Sequence, residues 1–191
     1  MKTVGVLGLQ GDVIEHIDAL RKLKAGTVWV KQPKQLKSID ALIIPGGEST
    51  TIGNLMVKND LFDEIIDLGK NGMPIYGTCA GAILLAKRGD DQVRKTKQQL
   101  LKLMDMKVNR NAFGRQRESF EAFVDVKGVG ELFHSVFIRA PVIEKVHGKC
   151  EPIAYLNQKI VAARQKNLLA TCFHPELTDD LRVHKYFLEM I

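Results

Sequence analysis

One cysteine in a glycine-flanked turn is placed to act as a nucleophile. Cys79 lies in Tyr76-Gly-Thr-Cys-Ala-Gly-Ala82, between two short apolar runs. This pattern predicts a strand, a sharp turn and a helix with the thiol at the apex, which is the Gly-x-Cys-x-Gly form of a nucleophile elbow. We expect Gly77 and Gly81 to give the turn its conformational freedom, and the helix N-terminus to favour the thiolate. A buried structural cysteine is an equally good interpretation of these residues alone.

A histidine and a carboxylate follow another apolar run, in His174-Pro-Glu176. A thiol nucleophile needs a base for its proton, and the base needs a group that orients it. His174 can supply the imidazole and Glu176 the carboxylate, since residues two apart in an extended turn can project to the same side. The alternative interpretation is a turn that caps the final helix.

Three further segments could contact a substrate. Pro45-Gly-Gly-Glu-Ser-Thr-Thr51 follows an apolar run, and its glycines leave backbone N–H groups free for an oxyanion hole or an anion site. It lacks the Gly-Lys-Ser/Thr ending of a phosphate loop, and an ordinary tight turn with a helix cap remains the alternative. Arg110 and Arg139 each stand next to a predicted turn, where a guanidinium could hold a carboxylate. The alternative is that each is an ordinary exposed arginine without a binding role.

The remaining histidines and cysteines do not form a second site in the sequence. The histidines without a partner motif are interpreted as surface or capping residues: His16, His134, His147 and His184. Cys172 lies in an apolar run and is predicted to be an inert core thiol. Three cysteines without paired spacing indicate neither a disulfide framework nor a zinc cluster, so we expect no metal and no cofactor.

Composition indicates a single globular domain over residues 1–191. The chain is 45% apolar and 26% charged, with a net charge of +6. Its apolar N-terminus is too short for a signal peptide and no apolar run approaches a membrane span, so we expect a cytoplasmic protein. Much of the positive charge lies between Lys87 and Lys102 without interleaved aromatic residues. This favours a solvated face or an acidic protein partner over nucleic acid.

Apolar runs alternate with helical patterns in the first half of the chain. The predicted strands there are Thr3–Leu9, Thr27–Val30, Asp40–Ile44 and Met73–Gly77, with helices over 12–23 and from Asn59 or Asp60 to about residue 69. Such alternation predicts a parallel, doubly wound sheet with helices on both faces. Later predicted elements are strands 119–126, 135–140 and 168–173, a hairpin of 151–156 with 159–164, a loop and helix within 89–104, and a helix from a Thr178 cap to Ile191.

The combined motifs resemble a known family. Gly77-Thr-Cys-Ala-Gly81 with His174-Pro-Glu176 resembles the class I (triad) glutamine amidotransferases. Further blocks make the chain similar to the glutaminase subunits of pyridoxal 5′-phosphate synthases: Gly5–Asp12, Pro45–Thr51, Arg110-Asn111, Gly114–Gln116, Ser119–Glu121, Phe137–Pro141 and Phe173–Thr178. Departures from this family are Phe113, Arg117 and a short join from Lys22 to Thr27.

The resemblance implies a fold, a reaction and a partner. The fold is a three-layer α/β/α, flavodoxin-like, mostly parallel sheet, and the reaction is hydrolysis of L-glutamine to L-glutamate and ammonia. The implied catalytic residues are Cys79, His174 and Glu176; glutamine contacts are Gly47, Glu48, Ser49, Arg110, Ile138 and Arg139; and oxyanion donors are the N–H groups of Gly47 and Ala80. Ammonia would pass to a separate synthase subunit. The rival interpretations are a DJ-1/PfpI-like enzyme, which lacks the late His-Pro-Glu, and a non-enzymatic subunit with a decayed site.

Overall fold

A computed structural model describes residues 1–110 and 119–191 of the chain. Its strands are β1 (Thr3–Leu7), β2 (Gly26–Val30), β3 (Ala41–Ile44), β4 (Ile75–Thr78), β5 (Ala86–Arg88), β6 (Met104–Asn109), β7 (Ser119–Val124), β8 (Phe133–Ile138), β9 (Val142–Val146), β10 (Glu151–Leu156), β11 (Lys159–Gln165) and β12 (Leu168–Thr171). Its helices are α1 (Val13–Lys22), α2 (Pro33–Leu36), α3 (Ser49–Lys58), α4 (Phe62–Lys70), α5 (Ala80–Leu85), α6 (Asp91–Lys95) and α7 (Arg182–Leu188), and Pro175–Leu177 forms a 3₁₀ turn.

Ten of these strands form one mixed sheet in the order β2-β1-β3-β4-β12-β11-β9-β6-β5, with β10 paired to β11. The strands from β2 to β12 are parallel, and the sheet continues through the antiparallel strands β11 and β9. Every residue of β3, β4 and β12 is buried, as expected of central strands covered on both faces. Strands β7 and β8 form a separate antiparallel hairpin.

The direction of the crossovers places helices on both faces of the sheet. The chain moves one way along the sheet from β1 to β2 and the other way from β3 to β4. Because parallel crossovers are right-handed, α1 and the pair α3 and α4 must lie on opposite faces. Helix α1 accordingly packs on β1 and β2, and α3 packs on α4 and α5. The α/β class and the largely parallel sheet are therefore confirmed.

Several predicted boundaries are wrong for local reasons. Thr178 does not cap the final helix, because His-Pro-Glu-Leu forms a 3₁₀ turn and Thr178 Oγ1 donates to the Pro175 carbonyl. That helix begins at Arg182, whose backbone N–H donates to the Asp180 carboxylate. Asp60 does not cap α4, since its φ of 57° places it in a left-handed turn after α3. The sequence patterns also did not predict α3, β6 or β9.

The short join from α1 to β2 is a tight turn. Lys24 has a φ of 58°, and the Ala25 N–H donates to the Leu20 carbonyl at 3.1 Å. The other two departures from the family pattern, Phe113 and Arg117, lie outside the described residues. Within residues 1–110 and 119–191, no helix is both long and apolar enough to cross a bilayer.

Candidate active site

The turn between β4 and α5 presents Cys79 as an elbow. Cys79 has a φ of 48° and a ψ of −99°, so the strained backbone lies at the cysteine itself. The sequence had placed this conformational freedom at the flanking glycines. The glycines permit close packing instead: a Cβ on Gly77 would lie 2.5 Å from the carbonyl of Gly81. The Cys79 N–H donates to the Thr171 carbonyl at 2.8 Å, which ties the elbow to β12.

His174 and Glu176 lie beside this elbow, at the end of β12. The Nδ1 of His174 is 2.7 Å from Oε1 of Glu176, and both residues are buried. Cys79 is a further hydrogen-bond partner of His174, and with Nδ1 committed to the carboxylate the ring nitrogen left for the thiol is Nε2. The Cys79 thiol also lies 3.9 Å from the Ile138 carbonyl. The structure thus brings the thiol, the imidazole and the carboxylate close together beside one cavity.

The environment of His174 favours the imidazolium. Burial by itself lowers the pKa of His174, but hydrogen bonds with Asp12, Cys79 and Glu176 outweigh it and raise this pKa well above its ordinary value. Burial raises the pKa of the Glu176 carboxyl, and the facing imidazole acts in the opposite direction. A carboxylate held 2.7 Å from the ring therefore stabilises the protonated form of the base.

A cavity of about 390 Å³ opens in front of Cys79. Its walls include every residue proposed from the sequence except Glu176, which lies behind His174: Gly47, Glu48, Ser49, Cys79, Ala80, Arg110, Ile138, Arg139 and His174. Most of these residues follow the carboxyl ends of strands, where open parallel sheets place their sites. A close approach at Gly46 completes the wall, because a Cβ there would clash with the His174 ring.

Glu48 and Arg110 contact each other across the cavity wall. Glu48 caps α3 by accepting hydrogen bonds from the Thr50 and Thr51 N–H groups, and Arg110 donates to its Oε1 at 3.1 Å. Burial raises the pKa of Glu48, but the bonds from Thr51 and Thr50 and the charge of Arg110 lower it overall, so Glu48 is ionised at neutral pH. Arg110 also donates to Gln98 at 2.9 Å. This network orients Arg110 before any substrate arrives.

Sequence reasoning missed two polar residues of the cavity wall, Gln10 and Asp12, as well as the apolar Ile83. Gln10 accepts the Glu48 N–H at 2.8 Å, and Asp12 lies 3.4 Å from Nδ1 of His174. Both lie in the loop between β1 and α1, and that position beyond a strand's carboxyl end was the available signal. Asp12, His174 and Glu176 offer potential metal-ligand atoms within 4.8 Å of one another. Two of these side chains, His174 and Glu176, already form the 2.7 Å bond that orients the imidazole.

The interpretation of His16 and His184 as surface residues is wrong, since both are completely buried. Both pack in the layer beneath the triad, because α1 and α7 cover the same region of the sheet. His134 and His147 do remain at least partly exposed. Cys172 is buried, and burial raises the pKa of its thiol, as expected of an inert core cysteine.

A wider depression of about 840 Å³ lies away from the triad, along the basic segment from Lys87 to Lys102. Phe62 and Ile66 form part of its apolar floor, and lysines and arginines form its rim. It contains no thiol or histidine among its described lining residues, so the smaller cavity is the candidate active site.

The fold and this site define a class I glutamine amidotransferase. A solved structure described as a glutamine amidotransferase superposes with a TM-score of 0.92 at 46% identity, covering 98% of this chain and 97% of that one. A putative GMP synthase component from Thermoplasma acidophilum, at 18% identity and a TM-score of 0.68, shares the fold; the match covers 100% of this chain and 94% of that one.

Sequence comparison narrows the class to one family. The model of the SNO glutamine amidotransferase family matches residues 6–191, and the chain belongs to that family. It is 52% identical to the pyridoxal 5′-phosphate synthase subunit PdxT of Methanocella arvoryzae, covering 98% of this chain and 96% of the relative. It is 55% identical to the PdxT subunit of Hyperthermus butylicus, covering 97% and 95%. The chain is therefore a glutamine-hydrolysing amidotransferase.

Proposed function

We propose that residues 1–191 act as one glutaminase domain that hydrolyses L-glutamine through Cys79, His174 and Glu176 and supplies the ammonia for pyridoxal 5′-phosphate synthesis. The observation that carries this proposal is that Cys79 and His174 line one cavity, while Glu176 lies behind His174 with 2.7 Å between His174 Nδ1 and Glu176 Oε1. The relatives named as synthase subunits support the destination of the ammonia.

The reaction divides into two steps at the sulfur. The Cys79 thiolate attacks the carboxamide carbon of glutamine, and the resulting oxyanion is held by the N–H groups of Gly47 and Ala80. The C–N bond breaks as the His174 imidazolium gives its proton to the leaving ammonia, which leaves a glutamyl thioester. His174 then takes a proton from water, the hydroxide adds to the thioester, and glutamate departs as the thiol is restored.

Backbone geometry supports the proposed oxyanion donors. Ala80 is the first residue of α5, so its N–H has no acceptor within the helix. Gly47 lies on the facing loop of the same cavity. A single donor of this kind lowers a barrier by roughly 3 kcal/mol.

The proposed glutamine contacts include charged side chains and uncharged polar groups. Arg139 is exposed at the mouth of the cavity and suits the α-carboxylate, with Arg110 deeper in the wall. The Ser49 hydroxyl is buried without a hydrogen-bond partner among the described residues, so a polar group of glutamine would complete it. Glu48 and the Ile138 backbone complete the proposed set.

The ammonia acceptor in this proposal is a separate pyridoxal 5′-phosphate synthase subunit, and the complex is cytoplasmic. The basic rim of the depression from Lys87 to Lys102 is a candidate docking surface for that subunit. Neither a nucleic acid nor a membrane is part of the proposal, and the reaction as written requires no metal or cofactor.

Replacing the nucleophile tests the proposal. In the complex with the synthase, Cys79→Ala should abolish glutamine-dependent synthesis of pyridoxal 5′-phosphate and leave synthesis from added ammonia intact. Loss of both activities, or of neither, would contradict it. In the wild type, the glutamine-like electrophile diazo-oxo-norleucine should label Cys79 alone. Cys150 and Cys172 serve as internal controls, because burial raises the pKa of both thiols.

A further inference from the structure

Two fully buried histidines lie behind the proposed triad, on the side away from the cavity. His16 of α1 and His184 of α7 meet with 2.9 Å between Nδ1 of His16 and Nε2 of His184. On its other edge, Nε2 of His16 lies 3.1 Å from the Thr78 hydroxyl and 3.6 Å from Oε2 of Glu176. The pair is therefore continuous with the carboxylate that orients His174.

The histidine pair is electrically neutral in the fold. Burial lowers the pKa of His16, and the nearby His184 and His174 lower it further. Burial lowers the pKa of His184 to about 4. Two buried neutral imidazoles share one proton between Nδ1 of His16 and Nε2 of His184, so the pair has two possible tautomeric arrangements.

The hydrogen-bond partners available to each ring nitrogen favour one of the two tautomeric arrangements. If His184 donates to His16, the Nε2 of His16 carries its proton toward Thr78 and Glu176, and the unpartnered His184 Nδ1 is only a lone pair. In the reverse arrangement His184 Nδ1 is a buried N–H without an acceptor, and a lone pair faces the Glu176 carboxylate. An orphaned buried N–H is the rarer and costlier defect, so the first arrangement is favoured.

The second oxygen of Glu176 needs this N–H. Oε1 of Glu176 is bound to His174, whereas Oε2 is buried and has no hydrogen-bond partner within the described residues. At 3.6 Å the His16 Nε2–H is an electrostatic contact, longer than a hydrogen bond. Its positive end faces Oε2 and favours an ionised carboxylate aligned on the imidazole.

We propose that His16 is a positioning residue of the glutaminase: it holds Glu176 ionised and aligned through Oε2, and His184 fixes the tautomer of His16. This inference rests on the triad proposed above. Purely structural packing is a poor explanation for the pair, because burying two imidazoles costs desolvation that apolar side chains of similar size would avoid.

The other titratable groups around Glu176 set the direction of any pH effect. Asp12 at the start of α1 and His174 face it from one side, and Tyr76 of β4 lies near it from the other. Burial keeps the pKa of Tyr76 well above its ordinary value, so the phenol stays neutral. Removing the His16 N–H therefore raises the pKa of Glu176, and the acid limb of the pH–rate profile moves to higher pH.

A matched pair of amide variants tests the positioning role. In His16→Gln the amide nitrogen reaches the place of Nε2, whereas in His16→Asn it reaches the place of Nδ1 and can contact only His184. We expect His16→Asn to lower kcat for glutamine about 10- to 100-fold with little change in KM. We expect its acid limb to move up by about one pH unit. His16→Gln should recover most of the rate and the original limb.

Every outcome of this comparison either supports or overturns the positioning role of His16. Equal rates and equal acid limbs for the two variants, or a faster Asn variant, would overturn the positioning role, since a structural role depends on the His184 contact that Asn keeps. If His16→Asn does not fold, His184→Leu replaces it, and an unchanged acid limb there overturns the proposal. Cys79→Ala separates the two hypotheses: if it keeps glutaminase activity, the triad itself is wrong. If it is inactive while the amide variants match, only the role of His16 fails.

Discussion

Glu176→Gln removes the charge that faces the imidazole and changes little else in shape. The carboxylate lies 2.7 Å from His174 Nδ1, and both groups are buried. A hydrogen bond to a charged group contributes roughly 1.5–3 kcal/mol against about 1 for a neutral one, so loss of the charge alone should lower kcat by about 10-fold. If the amide also turns its NH₂ toward Nδ1 and selects the wrong tautomer, the fall should approach the roughly 10⁴-fold seen for the equivalent change in a serine protease triad.

The assay is steady-state glutamine hydrolysis in the complex with the synthase, with ammonia-dependent synthesis as the control for folding and assembly. The base limb of the pH–rate profile should move to lower pH, because the carboxylate is one of the groups that raise the pKa of His174. Asp12→Asn is the matched control. Asp12 lies 3.4 Å from the same nitrogen and also raises the pKa of His174, but its side chain is 35% exposed, so water can replace part of its effect. We therefore expect a smaller fall in kcat than for Glu176→Gln, with a shift of the base limb in the same direction. A Glu176→Gln enzyme within threefold of wild type would refute the assignment of Glu176 as the orienting residue.

Three further changes follow from the same geometry. Arg139 has a φ of 41°, a conformation that glycine adopts without strain, so Arg139→Gly removes the charged contact and leaves the backbone in place. We expect KM for glutamine to rise about 10- to 100-fold at unchanged thermal stability. An unchanged KM would show that Arg139 does not belong to the binding site. Gly46→Ala should displace the His174 ring and lower kcat by about 100-fold. Gly53→Ala in α3 should keep full activity, because a Cβ there would make only ordinary van der Waals contacts with Leu84 and Gln99. The lowered pKa of His184, about 4, means that the unfolded chain binds more protons between that value and 6.5, so His184 should lower stability by about 3 kcal/mol as pH drops through this window. Burial also lowers the pKa of His16, which adds to the fall. Unfolding of wild type and His184→Leu across the window checks the sign, since the variant should lose the part due to His184.

The parallel half of the fold could be predicted because its signals are local. Short branched runs that end at glycine turns, as at Asp40–Gly47, are typical of buried parallel strands. Strands β6 and β9 were missed because they pair only with partners distant in the chain or with each other. Helix α3 was missed because its cap is Glu48, not one of the usual serine, threonine, aspartate or asparagine caps.

The candidate site was predictable where a residue's chemistry is visible in its neighbours. Cys79 and the His-Pro-Glu segment could be identified from their residue types and spacing. The burial of His16 was not predictable, because His16 packs against His184 of α7, a contact between residues 168 positions apart. The strain at Cys79 was assigned to the wrong residues for a related reason. A glycine in the sequence indicates either positive φ or close approach, and only the structure distinguishes the two.

The register between β4 and β12 sets the relative positions of the proposed triad residues. Thr78 pairs with Thr171 in parallel, so Cys79 and Cys172 leave the two strands at the same level. His174 lies two residues beyond Cys172, so the same register sets its position relative to Cys79. A slip of one residue would move His174 by about 3.3 Å and exchange the two buried faces of β12, which would carry the imidazole away from the thiol. Packing of β12 and alignment of the triad are therefore one and the same constraint, and substitutions in the buried strand should alter kcat even though they contact no substrate.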